Sequence, residues 1–393
     1  MNFEFSEEER KFLQEVDEFL EENRHIDVMD VTRENMAQVS DTPARRAFMK
    51  KVAKRGWLGI TWPKEYGGQD GDGIYEYLLN EKLSSVGAPQ IGKGVGIIGK
   101  TLINVGSEKL KREFLPKILD AEIEFAVGYS EPGAGSDAAA MRLKAERKGD
   151  KWVLNGQKIF TTSAHFADWY WVGARTDPEA PKHHGITLFL IRMDDPGLTV
   201  HPMYTMGGER TNGVFFDNVE VHDDYRVGEI NKGFQYIAEA LDIERFTLFT
   251  LSPIRGRVEL LADYVKTAKK DGKPLKEDPV IRQKVAQLAT DLEVARLLGV
   301  KFVDAAINSG KTPTVEASIY KLFATELSLR VADATMDIVG PGAQLALGTE
   351  DAPLGGRAES CYTYTVIDTI GGGSSEVQKN IISGLRLGLP KNF

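Results

Sequence analysis

The apolar period of this 393-residue chain changes twice, and that change limits the fold more than any single motif does. Over roughly the first 120 residues the period is helical. Ser6 followed by Glu9 is a capping-box pattern, and Phe12, Val16, Phe19 and Leu20 then recur at helical spacing. The stretch Trp62–Gly68, rich in glycine and proline, breaks the helices into packets. From about residue 121 to 228 the residues are β-branched and aromatic, as in Ile186–Ile191 and Val214–Val221. Within that block Lys151–Phe160 sets two short apolar runs around Asn155-Gly156. This pair is the strongest two-residue hairpin signal, because a type I′ turn needs positive φ at both positions. After Gly233 the helical period returns in Phe234, Ile237, Leu241 and Leu248. Long amphipathic segments follow at about 280–309 and 313–339, the second closed by Gly340-Pro341-Gly342, and a last helix is expected after Ser374. Helices, then strands, then helices, with no alternating βαβ pattern, predict an α+β chain. Its expected domains are a helical one over 1–120, a β one over 121–228 and a helical one over 229–393.

Charge and cysteine content remove several classes of function. Lys and Arg total 49 against 58 Asp and Glu, a net charge of −9 with a pI near 5.4. A nucleic-acid partner requires clustered cations, so none is expected. Cys361 is the single cysteine, which excludes an internal disulfide and a cysteine-built zinc site. The opening residues are acidic where a secretory signal is basic, and no apolar run is long enough to span a bilayer. A cytoplasmic protein without a membrane partner is the expectation.

One attractive motif is weak in context. Gly94–Thr101 fits G-x-x-x-x-G-K-[ST], and Gly94, Gly96 and Gly99 fit G-x-G-x-x-G. Either phosphate-binding loop needs a buried strand before it and a helix after it. Ser84–Gln90 makes a poor strand, so the segment reads as a glycine-rich, closely packed helix, with nucleotide triphosphate hydrolysis as the different-class alternative. His183 and His184 read as a solvated pair rather than metal ligands, since no third ligand is placed nearby.

The most specific segment is Tyr129–Asp137, Y-S-E-P-G-A-G-S-D, which resembles the T-E-P-G-A-G-S-D signature of the acyl-CoA dehydrogenases. Trp62–Gly68 precedes it in family order. Leu154–Thr162, Asp242–Arg245, Gly373–Gln378 and Leu387–Pro390 follow it, so the likeness spans essentially the whole chain. It implies an N-terminal helical domain, a middle antiparallel β domain and a C-terminal four-helix bundle. The implied cofactor is FAD, the substrate an acyl-CoA thioester, the electron acceptor an electron-transferring flavoprotein, and the assembly a homotetramer. The alternative is a relative that binds FAD and acyl-CoA without oxidising, such as an eliminating enzyme or an idle subunit of a heteromeric pair.

Dehydrogenation between Cα and Cβ needs a base for the α-proton, donors for the developing enolate oxygen and a hydride acceptor over Cβ. Carried over by position, the resemblance assigns Tyr129, Ser130, Gly135, Ser136, Phe160, Thr162, Ser374 and Glu376 to FAD, and Ser136, Asp242, Arg245 and Gly373 to the substrate. Ser374 and Glu376 also read, independently, as a helix N-cap and its first-turn acid. Many family members carry the catalytic Glu where this chain has Gly372; a second family position for it, in the helix after the β domain, holds Glu244. Glu244 steps with Ile237, Leu241 and Leu248, and its helical neighbours Ala240, Leu241, Thr247 and Leu248 include no cation. A carboxylate on an apolar stripe has a raised pKa, as a base near neutral pH requires. Gly372 keeps the backbone N–H that the family uses as an oxyanion donor. Lys266–Pro274 lacks the family's R-x-x-F-G, and Gly340-Pro341 replaces its Gln-Gly-Gly, so no residues are assigned to the FAD adenine or pyrophosphate.

Overall fold

The computed structural model describes residues 5–248, 250–309 and 313–390. Helices α1 (Glu7–Glu22), α2 (Pro43–Lys54), α3 (Gly73–Ser85), α4 (Lys100–Val105) and α5 (Glu108–Leu119) come first. Strands β1 (Phe125–Gly128), β2 (Lys144–Lys148), β3 (Lys151–Lys158), β4 (Trp169–Arg175), β5 (Ile186–Arg192), β6 (Leu198–Tyr204), β7 (Arg210–His222) and β8 (Arg226–Val227) follow. Then come α6 (Gly233–Leu248), α7 (Ser252–Thr267), the short ladder β9 (Lys269–Lys270) with β10 (Lys273–Pro274), α8 (Pro279–Ser309), α9 (Thr314–Val339), α10 (Arg357–Tyr364) and α11 (Ser375–Ile381). Among the described residues no helix is long and apolar enough to cross a membrane.

The chain divides into two compact units. One gathers the N-terminal stretch to Ala37, Tyr77–Ala88 and the chain from Leu248 onward; it is helical. The capping box at α1 forms as the sequence predicts: Ser6 N–H reaches Glu9 Oε2 at 2.6 Å, and Glu9 N–H reaches Ser6 Oγ at 3.2 Å. Val16, Phe19 and Leu20 are the buried face of α1. In α8 and α9, Phe302 stacks on Tyr320 with centroids 6.3 Å apart. Gly340, at φ 76, ends α9, a conformation that favours glycine.

A buried charged cluster fastens this helical unit. Arg257 on α7 donates to Glu34 Oε2 at 2.6 Å and to Ser328 Oγ on α9 at 2.7 Å. Ser328 Oγ and the Tyr364 hydroxyl donate to the two Asp368 oxygens at 2.8 and 2.9 Å. Burial raises the Asp368 carboxyl and pushes the Cys361 thiol up to about 12.

The other unit gathers residues 38–76 and 89–247 around one sheet, ordered β6-β7-β3-β2-β4-β5-β8, with β1 paired to β4. Its pairings are antiparallel except β1 with β4 and a single-residue contact of β2 with β4. Leu154, Tyr170, Val172, Phe189, Val214 and Val219 form its core.

The hairpin expected at Asn155-Gly156 is not there. β3 runs straight through both residues, and the turn joining β2 to β3 is at Gly149-Asp150, where Gly149 has φ 64. Asn155 instead faces a bulge in β7. Its Oδ1 accepts from Asn218 N–H at 2.8 Å, and Asn218 takes the left-handed conformation, φ 51. Gly156 does have positive φ, 138, but in a strand opposite that bulge.

Gly94–Thr101 is helix, not a phosphate loop. A π-helical stretch over Gly94–Gly99 runs directly into α4, with no strand ahead of it. Lys100 Nζ is bound to buried Glu76 at 2.9 Å, and Thr101 Oγ1 donates to Ile97 O at 2.9 Å. A Cβ on Gly99 would collide with the Trp62 indole, so glycine serves close packing there. Gly99→Ala is expected to lower unfolding stability by about 1–3 kcal/mol in a denaturant titration, while Lys100→Met leaves ATP binding undetectable as in the parent.

Candidate active site

The signature segment leaves β1 and closes a tight turn. Glu131 N–H donates to Ala134 O at 2.9 Å, and Ala134 N–H returns to Glu131 O at 3.0 Å. Gly133 and Gly135 are exposed, and a Cβ on either would meet open space. They leave clearance above the turn rather than serving a positive φ. Ser136 is exposed, and the neighbouring Asp137 pairs with Lys182 at 2.8 Å.

Beneath the turn lies a buried ion pair that the sequence reading missed. Lys158 is fully buried, and its Nζ donates to Glu131 Oε1 at 2.8 Å and to Tyr129 O at 3.2 Å. Glu131 also accepts from Arg142 N–H at 2.6 Å and Leu143 N–H at 2.8 Å, so both carboxylate oxygens are satisfied. Burial pushes Lys158 down to about 8, against the pull of Glu131. The signal was present: Lys158 shares its strand face with Trp152 and Leu154, and a lysine on a core face requires an acid.

The pair ties the turn to the exit of β3. Ile159 N–H donates to Ser130 O at 2.9 Å, and Thr161 N–H to Asn212 O at 3.0 Å. Asn212 Nδ2 in turn donates to Thr161 O at 2.8 Å and Thr162 O at 3.3 Å. Between these anchors Phe160 adopts φ 56, left-handed backbone that costs a residue with a Cβ about 1–2 kcal/mol. Its ring is 59% exposed. Thr161 is buried against the Tyr170 hydroxyl at 2.9 Å, while Thr162 and Ser130 are half-buried. Tyr129, Ser130, Phe160 and Thr162 are therefore brought to one junction. Tyr129 also accepts at its hydroxyl from Trp171 Nε1, at 2.8 Å.

Asp242, Glu244 and Arg245 fall in α6, where Gly233, Tyr236, Ile237 and Ala240 are buried, but their side chains lie outside the described residues. In the helical unit Gly372 and Gly373 have φ 63 and 93. Ser374 caps α11, accepting from Val377 N–H at 3.4 Å. Hydrogen bonds from its own backbone N–H and from Ser374 hold exposed Glu376 below the usual carboxylate range.

Three family models match in sequence order: acyl-CoA dehydrogenase N-terminal domain over residues 6–122, middle domain over 126–219 and C-terminal domain over 231–384. The chain belongs to the acyl-CoA dehydrogenase family. It is 33% identical over 353 residues to the acyl-CoA dehydrogenase FadE26 of Mycobacterium tuberculosis, covering 88% of each. It is 30% identical to the mitochondrial isovaleryl-CoA dehydrogenase of Pongo abelii, covering 96% of this chain and 88% of the relative. A solved structure titled Tcur3481-Tcur3483 steroid ACAD superposes with a TM-score of 0.89 at 32% identity over the whole of both chains. The chain is an oxidoreductase of this class, whose members are generally FAD-binding flavoproteins. The junction suits such a group: an exposed aromatic ring stands beside the hydroxyl-bearing Ser130 and Thr162, with open space at Gly133 and Gly135.

Two substitutions separate the buried support from the exposed ring. Lys158→Met leaves Glu131 buried without its cation and is expected to cost about 3–5 kcal/mol by chemical denaturation. Phe160→Gly releases the left-handed strain and should raise the apoprotein's stability by up to about 1 kcal/mol in the same assay, while weakening FAD uptake.

Proposed function

We propose that the chain is an FAD-dependent acyl-CoA dehydrogenase in which Glu244 removes the α-proton of the thioester and the Gly372 N–H donates to its carbonyl oxygen. What carries the reading is the strained, exposed Phe160 at the Ser130–Ile159 junction, held out by backbone that fixes it on both sides. Such strain persists where surrounding structure over-determines it, and it concentrates at ligand sites. Tyr129, Ser130, Gly135, Ser136, Phe160, Thr162, Ser374 and Glu376 would hold FAD, which when bound supplies the hydride acceptor for Cβ. Ser136, Asp242, Arg245 and Gly373 would bind the acyl-CoA.

Gly372 has no carboxylate, so the base must come from elsewhere, and Glu244 occupies the family's second position for it. The N–H at 372 survives that change; a donor aimed at developing oxyanion charge is worth about 10²–10³ in rate. Relatives named for isovaleryl-CoA and for steroid substrates favour a branched or ring-bearing acyl group over a short straight chain. An oligomeric holoenzyme reoxidised by an electron-transferring flavoprotein completes the reading.

Protein purified with FAD should be yellow and elute larger than a monomer. A panel of straight, branched and cyclic thioesters should bleach the oxidised flavin band, fastest with the branched or cyclic members. Glu244→Gln keeps size and polarity but removes the proton acceptor. It is expected to retain FAD and slow flavin reduction about 10²–10⁴-fold in stopped flow. Near-parent reduction by Glu244→Gln would place the base at another residue, and a colourless protein that takes up no FAD would overturn the reading.

A further inference from the structure

The ladder between β3 and β7 ends at the pair Lys158 and Val214; continued in register it would set Phe160 opposite Asn212. The left-handed backbone of Phe160 takes the chain out of that register. Asn212 then meets the departing chain with its side chain as well as its main chain. Its carbonyl accepts from Thr161 N–H at 3.0 Å, and its amide nitrogen donates to Thr161 O at 2.8 Å.

Asn212 is fully buried, and both ends of its amide are engaged. The first Nδ2 proton goes to Thr161 O, and the second lies between Thr162 O at 3.3 Å and His165 Nδ1 at 3.1 Å. Oδ1 accepts from Arg210 Nε at 3.0 Å. A guanidinium only donates and a main-chain carbonyl only accepts, so the amide has one permitted orientation. His165 Nδ1 must then be an acceptor, which leaves the ring neutral with its proton on Nε2. Partial desolvation, then the Arg210 charge, keeps His165 below the usual imidazole range, against the pull of Asp41.

This arrangement sets the direction of one backbone donor. Thr161 O is held twice, by Asn212 Nδ2 and by Ala164 N–H at 3.3 Å. In a trans peptide unit the N–H points opposite to the C=O. The N–H of the same unit, that of Thr162, therefore faces away from buried Asn212. Neither the Thr162 N–H nor its Oγ1 has a hydrogen-bond partner among the described residues. A donor fixed in direction but left unmade, next in the chain but one to an exposed aromatic ring, is pre-organised for a flat group that carries acceptors. We propose that Asn212 is a positioning residue for the flavin: keyed by Arg210, it fixes the Thr161–Thr162 peptide plane and so presents the Thr162 N–H to an acceptor atom of the FAD ring. The inference rests on the contact of Phe160 and Thr162 with FAD in the proposed function, and adds the side chain that aims the donor.

The test reads oxidised holoenzyme reconstituted with FAD labelled with ¹⁵N and ¹³C in the ring, where a hydrogen bond displaces the resonance of the acceptor nitrogen or carbonyl carbon. Thr162→Val keeps the N–H and loses the hydroxyl. Thr162→Pro loses the N–H, at the second position of the Thr161–Ala164 turn, which suits proline. One ring resonance should be parent-like in Thr162→Val and displaced in Thr162→Pro. Where Thr162→Pro takes up no FAD, flavin in an aprotic solvent, which offers no donor, is the reference. Asn212→Asp keeps the size and the Arg210 contact but sets an oxygen against the Thr161 and Thr162 carbonyls. It should move that resonance most of the way to the reference position and weaken FAD binding about 2–10-fold, the range for one hydrogen bond. Asn212→Ala should move it in the same direction, and it carries the measurement alone if Asn212→Asp takes up no flavin. Gly99→Ala, which loosens packing elsewhere in the same unit, should leave the resonance in place. A parent-like resonance in flavin-loaded Asn212→Asp, or in Asn212→Ala where only that variant loads, overturns the inference while leaving Thr162 as a flavin donor. An equal displacement in Gly99→Ala also overturns it, since general loosening would then account for the effect. A parent in which no resonance differs from the reference overturns the Thr162 donor itself, and this inference with it.

Discussion

The β unit depends on a lysine and a glutamate buried against each other. Lys158 and Glu131 join a strand end to a turn that are 27 residues apart in the chain. Moving either charge into the interior is costly, and well-packed apolar residues would serve bare stability as well or better. What an ion pair adds is geometric specification. The carboxylate takes two backbone N–H groups besides the ammonium, and the ammonium takes a backbone carbonyl besides the carboxylate. The register of turn against strand is thereby set by directional contacts. Without that register the anchors on either side of Phe160 would have nothing firm to hold, and the backbone there would relax to an ordinary strand.

The helical unit repeats the device. Lys321 and Lys158 are both fully buried, and both donate to main-chain carbonyls of a glycine-bearing segment. Lysine suits this use: three rotatable donors on a flexible stem reach several carbonyls that share no plane, where a guanidinium fork demands one. Glycine-rich motifs are commonly read as freedom for the backbone. Here that freedom is removed from below by buried ammonium groups, leaving a backbone that is both uncluttered and rigid.

Local signals carried most of the architecture. The capping box at Ser6, the extents of α8 and α9, the stop at Gly340 and the N-cap at Ser374 depend on residues close in sequence, and they stand where the sequence puts them. Asn155-Gly156 misled because its signal, a pair tolerant of unusual φ, is also what a bulge recruits, and only the partner strand decides which. Lys158 was legible in principle from its strand parity. Lys321 and Gln378 were not: their acceptors are carbonyls, which carry no side-chain identity and so leave no trace in a sequence. Phe160 was legible as an aromatic at a family position, but its left-handed backbone depends on Asn212, far along the chain.

The conformation of Gly372 bears on how such a chain can change over time. Every glycine codon lies one nucleotide from an aspartate or glutamate codon, so placing an acid at this position is a single mutational step. The backbone makes that step steep. A residue with a Cβ at φ 63 carries about 1–2 kcal/mol of strain, and relieving it would rotate carbonyls that Gln378 and Lys321 hold. An acid at this position would therefore need coordinated changes on α9 and α11 as well, so the single substitution is structurally isolated from the gain it could bring.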